Sequence, residues 1–194
     1  MRRRSKSIGT GALAVILVVS LIGVGATAPV SSATEDTDQS ADSVDIDDVE
    51  QAIHDAVNEE RAAHGVDELE FDDELRDVAY VHSEDMVERS YFAHEDPDGD
   101  RFLDRYEDAG YECSVNGYLG GENLAQTWFD TPVATDDRGT VHYEDEQELG
   151  EGIVDQWLGS SGHEANLLAE HWENQGIGVF VTDDDQVYAT QNFC

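Results

Sequence analysis

The chain has 194 residues, the size of one domain rather than two. It holds 45 aspartates and glutamates against 10 lysines and arginines, and beyond Arg2, Arg3, Arg4 and Lys6 its bases are six scattered arginines, so no basic patch is left for a nucleic-acid partner. A hydrophobic content of 39% in patterned positions excludes a disordered acidic chain, and at a formal net charge of −35 the fold needs strong salt, where screening acts within about 3 Å, as in a halophile.

Residues 2–6 form a charged n-region, residues 13–24 an apolar stretch, and small residues follow at Ala26, Ala28 and 31–33. This predicts an exported, extracellular or cell-surface protein with a signal peptide over 1–33. The paired arginines leave Sec and twin-arginine export both open. The charge-free run 7–34 exceeds the roughly 20 residues needed to stay as an uncleaved N-terminal membrane anchor. Residues 34–45 read as an acidic linker, and 46–194 as the folded domain.

In that domain Val49, Ile53, Ala56 and Val57 recur at helical spacing and predict a helix over about 46–64, stopped by Gly65. A second helix starts at Asp72 or Asp73, with Leu75, Val78, Ala79, His82 and Met86 on its apolar face. Residues 91–100 are a turn-rich loop carrying His94, and a short helix follows over about 101–109. Residues 111–115 read as a strand. Glycines at 117, 120 and 121 lead into Glu122-Asn123-Leu124-Ala125, and 130–150 read as an acidic, patternless surface insertion. Helices are expected over about 150–158, with Ile153, Val154 and Trp157 inward, and over 163–169. Alternation at Ile177, Val179 and Val181, a turn at 183–185, and alternation from Val187 to Phe193 predict a closing hairpin. Helices followed by a hairpin give an α+β class or a sheet layered between helices.

Cys113 and Cys194 are the two cysteines. Export permits a disulfide between them, worth about 4 kcal/mol for a loop of that length; two buried thiols are the other reading. His163 follows Gly162 at a helix start, which disfavours imidazolium and keeps the ring available as ligand or base. Neutral imidazoles beside a carboxylate are the parts of an open Zn²⁺ site, and equally of a hydrogen-bonded polar cluster. His82, on a buried stripe, reads as a packed histidine. The HExxH pattern is broken by Leu167, and no GxSxG elbow occurs.

Seven segments in order resemble the microbial form of the CAP superfamily (SCP-like; cysteine-rich secretory proteins, antigen 5, pathogenesis-related). They are Asn58-Glu59-Glu60-Arg61 with His64-Gly65 and Leu69; Ala79 with His82-Ser83-Glu84-Asp85-Met86; Tyr91-Phe92-Ala93-His94 with Asp98-Gly99; Arg105 with Ala109-Gly110-Tyr111; Gly121-Glu122-Asn123-Leu124-Ala125; Trp157 with Ser160, Gly162-His163 and Asn166-Leu167-Leu168; and Gly176-Ile177-Gly178-Val179 with Gln191-Asn192-Phe193. The resemblance implies a three-layer α-β-α sandwich with a central, mostly antiparallel sheet. It also implies a cleft built around His94, Glu122 and His163 that takes up Zn²⁺ or another divalent cation on His94 and His163 with Glu122 nearby, and Asn123, Ser160 and His82 are read as its support. A second acid is expected three residues after Trp157, where Ser160 stands; Asp155, Glu151 and Glu164 are the nearest replacements. Three readings follow. One is a secreted module binding a metal, a small lipid or a cell-envelope ligand. The second is a metal-assisted hydrolase with Glu122 as base. The third is a structural spacer.

Overall fold

The computed structural model describes residues 44–135 and 138–194. The expected signal peptide or anchor, and the linker up to residue 43, lie outside the described residues. The chain forms α1 (Ile46–Ala63), β1 (Glu70–Phe71), α2 (Asp73–Glu88), α3 (Phe102–Ala109), β2 (Gly121–Trp128), β3 (Val133–Thr135), β4 (Gly139–Val141), α4 (Glu146–Leu158), α5 (Ser161–Leu167), β5 (Asn174–Val181) and β6 (Gln186–Phe193). Aspartates start three of the helices. The carboxylates of Asp45, Asp72 and Asp145 accept from the first-turn N–H groups of α1, α2 and α4, satisfying donors that a helix start leaves free.

The main sheet has the order β1-β5-β6-β2. β5, β6 and β2 are antiparallel neighbours, and the short β1 runs parallel to β5. Because side chains alternate across a strand, Ile177, Val179, Val187, Ala189 and Phe193 share one face. They pack there with Val49, Ile53 and Val57 of α1, and Ile153 and Trp157 of α4, in the larger core. The other face meets α2 and, beyond it, α3, through Leu75, Val78, Tyr106 and Cys194, and through Met86, Leu124 and Tyr188. The result is the three-layer α-β-α arrangement.

Glycine lets α2 lie unusually close to the sheet. A Cβ at Gly178 would stand 2.0 Å from the backbone nitrogen of Tyr80, and one at Gly176 would stand 2.2 Å from that of Arg76. Ser83 Oγ then donates to the Gly178 carbonyl across 2.8 Å. The two cysteines form the disulfide Cys113–Cys194, with Cα atoms 5.5 Å apart.

Two stretches differ from expectation. Residues 111–115 are not a strand. Val115 and Tyr118 exchange hydrogen bonds of 3.1 and 2.8 Å around Asn116 and Gly117, both at positive φ, so the segment closes in a two-residue turn. The stretch 130–150, expected to be patternless, holds the β3–β4 hairpin and the first turn of α4. Its acidic residues masked Asp145 as a helix cap that starts α4 four residues early. Among the described residues no helix is long and apolar enough to cross a membrane.

Gly178→Ala is expected to destabilise the fold by about 3 kcal/mol, because the backbone of α2 leaves no room for a methyl group. Gly162→Ala, with nothing within 4 Å, is expected to be near neutral. Denaturant unfolding of both variants in strong salt checks this.

Candidate functional site

Glu122 lies on β2 opposite Asn192 of β6, which in turn pairs with Gly176. That register turns its side chain to the face covered by α2, where it is 1% exposed. An ionised carboxylate at such depth needs compensation. It has two partners. Arg105 of α3 donates to Oε2 at 2.5 Å, and His94 Nδ1 approaches Oε1 at 2.7 Å. Both oxygens are therefore engaged. With Nδ1–H given to the carboxylate, Nε2 is the ring nitrogen outside that bond.

His94 is held from several sides. The Arg105 guanidinium lies 3.4 Å from its backbone carbonyl. His82, buried on α2, donates from Nε2 to the Ala93 carbonyl at 3.2 Å, so this packed histidine braces the loop from below. Further along, Asp96 Oδ1 accepts from the N–H groups of Asp98, Gly99 and Asp100, while Arg89 bonds Asp96 and Asp98. These contacts pin a loop that bears a half-exposed imidazole.

His163 enters from the first turn of α5. Its ring centroid lies 6.3 Å from that of His94. Burial, and next the neighbouring His94, push its pKa below the ordinary histidine value. Asn123, the residue after Glu122, donates to the His163 carbonyl at 3.3 Å, and Asn166 donates to the Glu122 carbonyl at 3.2 Å. Asn123 thus ties α5 to β2.

The other expected residues stand elsewhere. Ser160 is the N-cap residue of α5 and makes no side-chain cap bond. Asp155 is exposed and 3.5 Å from Arg138, Glu151 accepts from Gln147, and Glu164 is exposed. Among the described contacts none of these three acids bonds His94 or His163. The residue missed in sequence is Arg105. Its signal was present: a basic residue kept in a chain with so few. A separate exposed group, Asp130, His142 and Glu144, has ligand atoms within 4.8 Å of one another and is a possible acidic and histidine metal-binding group. A hollow of about 810 Å³ is lined by Tyr91, Phe92, Phe180 and Tyr188 together with Asp183 and Asp184, among others, and not by His94, Glu122 or His163. Phe92, two residues before His94, is 45% exposed at its wall.

The family described as "CAP: Cysteine-rich secretory protein family" matches residues 54–193. The chain is 35% identical over 144 residues to "Uncharacterized membrane protein YlbC" of Bacillus subtilis, covering 74% of this chain and 34% of that protein. An extracellular protein containing an SCP domain from Bacillus anthracis, known at 1.5 Å resolution, superposes with a TM-score of 0.56 at 31% identity, over 76% of this chain and 40% of that one. The chain thus spans well under half the length of these relatives. A structure described as NaASP2 with Zn²⁺ shares the fold, with a TM-score of 0.50 at 12% identity over 75% of this chain and 78% of that one.

Arg105→Met is expected to cost about 3–5 kcal/mol, since it strands the Glu122 charge in the interior. Adding Glu122→Leu is expected to recover most of that loss. Equilibrium unfolding of the single and double variants measures it.

Proposed function

The chain belongs to the cysteine-rich secretory protein family, and on that premise we propose that it is an exported binding module whose cleft holds a divalent cation, Zn²⁺ first, between His94 and His163. The carrying observation is the 2.7 Å bond from His94 Nδ1 to a fully buried carboxylate. A metal-binding histidine is typically fixed in this way, through its second nitrogen, by a carboxylate behind it. Glu122 is then the group that orients His94, with Arg105 balancing its charge, and it is not itself a ligand.

The donor set fits a zinc-type ion. His94 offers Nε2, and His163 is kept neutral by burial and by its neighbour. Two protein ligands are fewer than the three of a catalytic zinc site. Such a cation is weakly held and has positions free for oxygen atoms of a ligand, which it would polarise as a Lewis acid. Phe92, Tyr91, Phe180 and Tyr188 offer aromatic surface, beside Asp183 and Asp184, to a lipid or a cell-envelope component in the hollow next to the loop. Export and a cell-surface setting accord with the n-region and apolar stretch of the sequence and with the extracellular relative. Nothing favours the hydrolase reading, because a carboxylate bound at both oxygens and 1% exposed is poorly placed as a base.

Titration calorimetry with ZnCl₂ in strong salt tests the reading. His94→Ala and His163→Ala are each expected to abolish binding, and Glu122→Gln to weaken it by about 10- to 100-fold. Binding unchanged in either histidine variant would refute the reading.

A further inference from the structure

β2 is an outer strand of the main sheet. In an antiparallel pair every second residue bonds the neighbouring strand, and the residues between turn their N–H and C=O groups away from it. The register says which is which. Phe129, just past β2, donates from its N–H to the Asp185 carbonyl at 2.9 Å and continues the pairing with β6. The odd-numbered residues of β2 therefore bond β6, and Glu122, Leu124, Gln126 and Trp128 point their backbone groups outward. The Glu122 carbonyl meets the Asn166 amide on that side at 3.2 Å, as this assignment requires. Among the described residues none bonds the outward N–H or carbonyl groups of Leu124, Gln126 or Trp128. Such a row is a template for one more strand, which folds usually blunt with lysine, proline or a covering segment. Residues 123–128 of β2 contain no charge and no proline.

The sheet face beside this edge is open at the same level. α2 stops at Glu88, and Phe180, Tyr188 and Gln126 stand in register on β5, β6 and β2. All three line the hollow of about 810 Å³ that Tyr91 and Phe92 wall. Cross-strand partners share a face. A strand added beside β2 would extend the row by one, and its side chain opposite Gln126 would turn toward the hollow. The lining includes Asp183 and Asp184 and no lysine or arginine, beside the exposed ring of Phe92. A basic side chain complements both the carboxylates and the ring.

We propose that the β2 edge binds a polypeptide in extended conformation as an added strand, with a basic side chain directed into the hollow. This names the chemical class of the cell-envelope ligand. It rests on the reading that the hollow is a ligand site, and it does not need the cation. A second copy of this chain suits the edge less well, because its net charge is −35 and its β2 brings no base to the hollow. Backbone bonds supply the affinity and the hollow the selection. That division survives strong salt, where charges act within about 3 Å.

The test is ¹H–¹⁵N NMR of the full chain in strong salt with EDTA, titrated with the acetylated and amidated peptide Thr-Val-Thr-Arg-Thr-Val-Thr. Before peptide is added, the amides of Leu124 and Gln126 are expected to exchange with solvent faster than those of Asn123 and Ala125. Peptide is expected to shift and protect the outward set. An added strand bonds through alternate residues, so N-methylation at the arginine and at the threonine after it is expected to differ in effect by about 10-fold. Exchanging the arginine for glutamate is expected to weaken binding by a similar factor. Gln126→Pro removes one outward N–H and leaves the β6 ladder whole. It is expected to abolish binding while Asn123 and Ala125 stay protected, and the peptide arms decide the matter without it if this variant fails to fold. Equal loss with both methylated peptides overturns the added strand. A glutamate peptide that binds as tightly as the arginine peptide overturns the basic partner. Concentration-dependent shifts at Leu124 and Gln126 without peptide make a second copy the occupant and overturn the proposal as well. No arm contains a metal, so each of these failures is distinct from a failure of the cleft to bind Zn²⁺.

Discussion

The buried carboxylate of Glu122 organises the site that holds His94. Glu122 sits where water is excluded, and two groups on two different elements converge to neutralise and hydrogen-bond it: Arg105 of α3 and His94 of the preceding loop. Remove the charge and neither has a reason to be there. Because Arg105 also lies against the carbonyls of His94 and Asp100, the ion pair fixes the loop as well as the acid. The placement of His94 is thus tied to neutralising one charge beneath a helix.

The arginines share a pattern. Arg61 is fully buried and donates to the carbonyls of Asp67, Leu167 and Ala169, closing the exit of α1 onto α5. Arg76 pairs with the buried Glu50 at 2.8 Å, and Glu50 in turn accepts from Val179 N–H. Arg89 fastens the loop that carries His94. In a chain so acidic, these bases act at joints between elements, where a buried or strongly hydrogen-bonded cation is little screened by salt.

Helices α1 and α2 and the closing hairpin were legible because their apolar residues recur at the period of the element. β2 was not. Both its faces are buried, yet one carries Glu122 toward α2 and the other carries Asn123, bonded to Gln191, so a polar pair at the start of the strand hides the alternation. The hairpin at 133–141 was hidden in another way, by short strands among acids on the surface. His94, Glu122 and His163 were legible as a set only through the resemblance to a family, since they lie far apart in sequence. The pairing of Arg105 with Glu122 depends on three-dimensional placement that spacing does not encode.

The proposed reading, coordination rather than proton transfer, rests on a half-exposed imidazole bonded to a buried acid and on a second imidazole whose pKa burial pushes down. The most direct check is anomalous diffraction from crystals grown in strong salt with Zn²⁺. This account predicts a zinc peak ligated by His94 Nε2 and His163, with Glu122 still bonded to Arg105 and His94 Nδ1. A peak ligated by Glu122 itself, or zinc found solely at Asp130, His142 and Glu144, would contradict it.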